Sequence, residues 1–152
     1  MPVIPETVRC FLKNIEQKIE DFCSESDQST FNDQYKESDI LKSIENVAIS
    51  KHPKVKGYVF GSRIFLTNFQ DSDIDVFIDC NDNYYTSNDG RIGGTYLRSV
   101  LTELRKSPEW MVIQVMDKAK TPFLKMKHLP TNLNCDLSFN NGLGVEKSKL
   151  VR

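Results

Sequence analysis

Apolar residues recur along this chain with two different periods, and the change between them falls near residue 55. From Glu6 to Cys23, the residues Val8, Phe11, Leu12, Ile15, Ile19 and Phe22 follow the spacing of an amphipathic helix. Residues 24–34, SESDQSTFNDQ, are polar and poor in core-forming side chains, which predicts a loop. A second helix is expected from about Tyr35 to Ser50, with Ile40, Leu41, Ile44, Val47 and Ala48 on one face. Pro53 ends it, because the residue before a proline is pushed out of helical geometry. Both helices read as packing elements without site chemistry.

Beyond Val55 the texture becomes that of strands. Lys56–Phe60 reads as one, followed by Gly61-Ser62 and a turn or short helix; Ile74–Ile78 reads as a second. Residues 80–94, rich in Asn, Asp and Gly, predict a loop. Tyr96–Lys106 predicts a helix with Leu97, Val100, Leu101 and Leu104 on one side. Partly alternating apolar residues then predict three strands, at 110–116, 123–128 and 132–139. The expected fold class is α/β (α+β): a mixed sheet of about five strands flanked by helices. At 152 residues, with no repeat and no linker, one domain is expected.

Composition narrows the function classes. With 39% apolar and 27% charged residues the chain has the profile of a soluble globular protein. No window approaches the roughly 20 apolar residues that span a bilayer, so no membrane partner is expected. The N-terminus, MPVIPETVRC, lacks the basic segment and apolar run of a secretory signal. A cytoplasmic location is therefore expected, with nucleus and mitochondrion left open. Cys10, Cys23, Cys80 and Cys135 are scattered without metal-binding spacing and are expected to be reduced. The net charge is −1, but residues 101–152 carry nine positive and five negative side chains. That basic third suits phosphates, or simply a solvated mixed surface.

The chemistry concentrates in VFGSRIFLTNFQDSDIDVFID. Asp73 and Asp75, two apart at the start of a strand, project from one face, while Ile74, Val76 and Ile78 take the other. Such carboxylates repel one another unless a cation sits between them, and hard oxygen ligands suit Mg²⁺ or Mn²⁺. In NCDLSFNN, Asp136 and Ser138 face one way and Leu137 and Phe139 the other. If the two strands are neighbours, three carboxylates converge and can hold two cations for phosphoryl transfer. Gly61-Ser62, after a strand, supplies backbone N–H groups and a hydroxyl for a phosphate. A calcium loop built on Asp71, Asp73 and Asp75 is the competing reading. It puts Val76 where the sharp turn needs glycine and is set aside.

Phe60-Gly61-Ser62, then Ser72-Asp73-Ile74-Asp75-Val76, then Asp136-Leu137-Ser138-Phe139, together resemble the signature of the DNA polymerase β-like nucleotidyltransferases. The similar branch is that of the non-canonical poly(A) polymerases and terminal uridylyltransferases, and the resemblance covers roughly residues 55–150. It implies a palm at 53–152 as the nucleotidyltransferase catalytic domain, with the helices of 1–52 packing on or beside it. It implies a nucleoside triphosphate donor, UTP or ATP, an RNA 3′-hydroxyl acceptor and pyrophosphate as leaving group. Two divalent ions, Mg²⁺ or Mn²⁺, are implied, with Asp73 and Asp75 ligating both and Asp136 the one nearer the acceptor. Phe60, Gly61 and Ser62 would hold the triphosphate. Where the family has Asn followed by Ser or Thr at the ribose, this chain has Lys147-Ser148; Lys147 offers no acceptor to a ribose hydroxyl but can reach a phosphate. Leu66 stands where the turn after Gly-Ser usually has another glycine. Family members continue into a second, helical lobe, so a further lobe or a partner protein is expected to complete the cleft. The alternative is a catalytically incomplete or inactive module of the same fold that binds RNA or protein, and a third option is an acceptor other than RNA.

Overall fold

A computed structural model describes residues 6–62, 72–85 and 90–150. Its elements run α1 (Glu6–Ala48), β1 (Lys56–Phe60), β2 (Ile74–Asp79), α2 (Gly90–Leu104), β3 (Trp110–Met116), β4 (Phe123–His128), β5 (Leu133–Ser138) and α3 (Leu143–Lys149). The five strands form one mixed sheet in the order β1-β2-β5-β4-β3. β2 and β5 run parallel, and the other neighbours are antiparallel.

Alternation gives the sheet two unlike faces. Ile74, Val76 and Ile78 of β2, Cys135 and Leu137 of β5, and Leu124 and Met126 of β4 are each fully buried on one side. Ile40, Ile44 and Ala48 of α1 and Leu97, Val100, Leu101 and Leu104 of α2 join them in a single core. α1 presses close on β1: a Cβ at Gly57 would stand 2.7 Å from Leu41 Cδ2, and Gly57 N–H donates to Glu45 Oε1 at 2.9 Å. Trp110 at the far edge donates its indole N–H to Ser43 Oγ at 2.9 Å, tying β3 to the same helix. The opposite face carries Asp75, Lys125 and Asp136, and it stays partly open.

Three expectations are corrected. Residues 24–34 are not a loop: the backbone is helical without a break from Glu6 to Ala48. Polar side chains do not by themselves end a helix, and with no glycine or proline in that stretch nothing breaks the backbone pattern. The packing expected of residues 6–23 is also absent among the described residues: Val8, Phe11, Leu12, Ile15, Ile19 and Phe22 are 39–64% exposed. Third, α2 starts at Gly90 rather than Tyr96. Its glycines are sites of close approach, since side chains at Gly93 and Gly94 would run into Asn140 and the Asp117 carbonyl. The short helix α3 is an element the periodicity does not indicate. The turn expected after Ser62, with Leu66, lies outside the described residues. Among the described residues no helix is long and apolar enough to cross a membrane.

Candidate active site

Strand register assembles the site. Asp75 on β2 pairs with Asp136 on β5, and Asp136 pairs in turn with Lys125 on β4. These three side chains therefore form a row across the open face. Asp73, two residues before Asp75 at the entry to β2, adds a third carboxylate. The Lys125 ammonium bonds Asp73 Oδ2 and stands 3.5 Å from Asp136 Oδ1, each of these side chains being about one-third exposed. Asp136 Oδ1 is closed to solvent, with the Lys125 ammonium as its counter-charge.

Crowding of like charge registers in the acidities. The Asp75 carboxyl is held above its ordinary value, first by burial and then by the charges of Asp136 and Asp73, with Lys125 opposing. Asp136 is raised as well, chiefly by burial, with Lys125 countering and Asp73 reinforcing. Lys125 is raised, mainly by its bond to Asp73. Among the described residues, no three His, Cys, Asp or Glu side chains are set closely enough to hold a metal ion. Lys125 bridges two of the acids instead.

The glycine turn serves the acids first. Gly61 has φ +82°, a conformation that side chains disfavour, and any Cβ there would strike the Asp75 carboxylate. Its N–H donates to Ser148 Oγ at 3.0 Å, and the Ser148 hydroxyl donates to the Gly144 carbonyl at 3.0 Å. Of the N–H groups expected to meet a phosphate, that of Gly61 is thus engaged within the fold. Ser148 is only 3% exposed and fastens α3 to the end of β1. Phe60 packs its ring on Gly144, where a Cβ would lie 2.9 Å from a ring carbon. Ser62 and Lys147 are both exposed, the first at the turn and the second on α3.

Beside this row lies an aromatic cluster on the same face. Tyr58 stacks on Phe77 at 6.1 Å and meets Tyr84 edge-on at 5.0 Å. Tyr84 donates to Glu146 Oε1 at 2.5 Å, while Lys149 donates to that oxygen at 2.8 Å. A cavity of about 310 Å³ opens here, lined by Tyr58, Asp79, Asp82, Tyr84, Tyr85 and Lys149. Sequence reasoning misses both Lys125 and this cluster. The signal for Lys125 is present in the alternation of Phe123, Lys125 and Lys127 with Leu124, Met126 and His128, which places a lysine on the outward face of a strand.

A five-stranded mixed sheet with α1 and α2 on one face, and acids with α3 beside them on the other, matches the palm fold of the polymerase β-like nucleotidyltransferases. The chain belongs to the family of the central palm domain of mitochondrial-like poly(A) RNA polymerases, whose pattern matches residues 15–152. A relative from Drosophila melanogaster, the inactive non-canonical poly(A) RNA polymerase protein Trf4-2, is 27% identical over 113 residues, covering 74% of this chain and 26% of its own. The structure of mtPAP in complex with UTP superposes with a TM-score of 0.61 at 24% identity, covering 71% of this chain and 25% of that one. The GLD-2/RNP-8 complex gives a TM-score of 0.72 at 16% identity, covering 89% of this chain and 51% of that one. The chain thus spans about a quarter of the length of this curated relative.

Proposed function

We propose that this chain is the palm of an RNA nucleotidyltransferase that transfers a nucleoside monophosphate from UTP or ATP to an RNA 3′-hydroxyl, releasing pyrophosphate. The observation that carries the reading is the register of Asp75 against Asp136 on parallel strands, with Asp73 adjoining them. Carboxylate oxygens gathered on one face are hard donors suited to Mg²⁺ or Mn²⁺. The buried Oδ1 of Asp136, whose counter-charge is the Lys125 ammonium at 3.5 Å, is an oxygen that a divalent cation would take over. Asp73, Asp75 and Asp136 are the residues that would hold two such ions, after drawing closer together than the metal-free arrangement sets them. Bound there, the ions supply charge neutralisation at the attacking and leaving oxygens.

The chain's own residues contribute position. Neighbouring strands fix Asp75 and Asp136 relative to each other, and Gly61 leaves room for the Asp75 carboxylate. Ser62, exposed at the turn, has a hydroxyl of the kind that suits a triphosphate oxygen, and Phe60 and Ser148 seat α3 so that Lys147 stands at the surface for a phosphate. Catalysis of this kind is mostly orientation and electrostatics. A second lobe or a partner protein would complete the cleft.

A second reading, a binding module without turnover, is favoured by the relative named as inactive and by the absence of a ready metal trio among the described residues. The deciding experiment incubates the full-length protein with labelled RNA, Mg²⁺ or Mn²⁺ and each triphosphate in turn. Extension of the 3′ end by one or more nucleotides is expected. A folded protein that extends no RNA with any triphosphate overturns the enzymatic reading, and retained Mn²⁺-dependent triphosphate binding then supports the module.

A further inference from the structure

Three carboxylates gathered on one face of a sheet need a counter-charge, and this chain supplies its own. Lys125 faces them because position 125 pairs with Asp136 in the β4–β5 register. Its neighbours Leu124 and Met126 are fully buried on the other face, so the lysine has no alternative direction. The ammonium bonds Asp73 Oδ2 and stands 3.5 Å from Asp136 Oδ1, linking an acid at the entry of β2 to one on β5. Lys127, two residues along the same strand, stands opposite Asn134 rather than an acid, so the pairing belongs to position 125. An ammonium has three donors and a flexible four-carbon stem. It can serve two carboxylates at once and still be moved. A divalent ion seated among the same oxygens would be repelled by it across a few ångströms of part-buried space.

We propose that Lys125 is the resident counter-cation of the acid cluster: it holds Asp73 and Asp136 together in the metal-free protein and is displaced onto the open face when a divalent ion enters. There its charge is available to the phosphates of a triphosphate, so that metal entry and anion recruitment become one event. Lys125 is in this sense a positioning residue acting through the acids. The displacement half rests on the metal reading given above. The counter-cation half concerns the metal-free protein alone.

Two measurements on the full chain separate the halves. Thermal unfolding without metal at neutral pH forms a double-mutant cycle of Lys125→Met with Asp136→Asn. Lys125→Met is expected to lower Tm in the wild-type background and by markedly less once Asp136 is Asn. Equal losses in the two backgrounds overturn the counter-cation role. Calorimetric titration with Mn²⁺ alone then reads displacement. Lys125→Met is expected to bind Mn²⁺ about tenfold more tightly than wild type, the order expected for removing one nearby like charge, while Lys125→Arg, which keeps the charge, stays within about threefold. Unchanged or weaker binding by a folded Lys125→Met overturns the displacement. Failure of the wild type and every variant to bind Mn²⁺ overturns both the displacement and the metal reading, while the counter-cation role is still decided by the metal-free cycle.

Discussion

Gly61 lies directly beneath the carboxylate of Asp75, close enough that the smallest side chain at 61 would collide with it. The two residues meet because Phe60 pairs with Asp75 across β1 and β2, and the chain then turns at φ +82°. Gly61→Ala therefore combines a disfavoured backbone region with a steric clash. We expect it to lower stability by about 1–3 kcal/mol in urea unfolding and to weaken Mn²⁺ binding by displacing Asp75. A variant with wild-type stability and Mn²⁺ affinity would show that the approach of these residues is unimportant.

Ser148 is expected at the ribose from the family pattern, yet its hydroxyl is used on both sides: it accepts from Gly61 N–H and donates to the Gly144 carbonyl. Ser148→Ala leaves two groups without that partner in a buried place. The expected loss is about 1–3 kcal/mol, measured by denaturant midpoint. A loss confined to triphosphate affinity, with stability unchanged, would return Ser148 to the ribose.

How far the sequence can be read follows from which signals are local. β1, β3 and β4 begin and end where the alternation predicts, because the period of a half-buried strand is written in adjacent residues. The acids are readable for the same reason: Asp73 and Asp75 share a face by spacing alone. α1 misleads where polarity and backbone disagree, residues 24–34 being polar and helical together. The start of α2 is hidden because Gly93 and Gly94 look like loop residues, while their role is close packing on Asn140 and Asp117. Lys125 escapes a reading of the sequence because its link to Asp136 depends on β4 lying next to β5, a relation among strands that no window of sequence contains. Ser148 meeting Gly61 is equally non-local, the two standing 87 positions apart.

His128 provides a pH dependence independent of the acids. It is 3% exposed, packs on Trp110 with ring centroids 4.7 Å apart, and pairs Nδ1 with Thr131 Oγ1 at 2.9 Å. Burial lowers its pKa below 6.5, against the opposing charges of Glu109 and Asp39. The folded state thus favours the neutral ring. Its contribution is whole above 6.5 and is lost as pH falls through the lower folded value, since the unfolded chain binds the proton first. Stability should rise with pH across that window by up to about 1.4 kcal/mol per pH unit for this one proton. His128→Gln should flatten the slope, leaving the part due to His52, whose pKa burial also lowers. An unchanged slope in urea midpoints between about pH 5 and pH 7.5 would remove His128 as its source.

Asp75 titrates in the opposite sense. Its folded pKa is raised above 3.8 by burial and by Asp136 and Asp73, so the neutral carboxyl is the form the metal-free fold favours. That contribution is complete below 3.8 and disappears as pH rises through the raised value, because the folded state holds the proton longer. Wherever that carboxyl is ionised, the metal-free protein carries a charge that works against folding. Asp75→Asn removes the charge and keeps the shape, so its metal-free Tm should equal or exceed that of wild type. The same substitution deletes the carboxylate proposed as a metal ligand, which faces Asp136 across the sheet. The Mn²⁺-induced rise in Tm should then vanish and 3′ extension of RNA should fall by at least about a hundredfold, on the order of 2.7 kcal/mol or more. The two effects have opposite signs and one cause. A variant that loses stability without metal, or that keeps near-normal extension, would detach Asp75 from the metal site and leave it an ordinary strand residue beside Gly61.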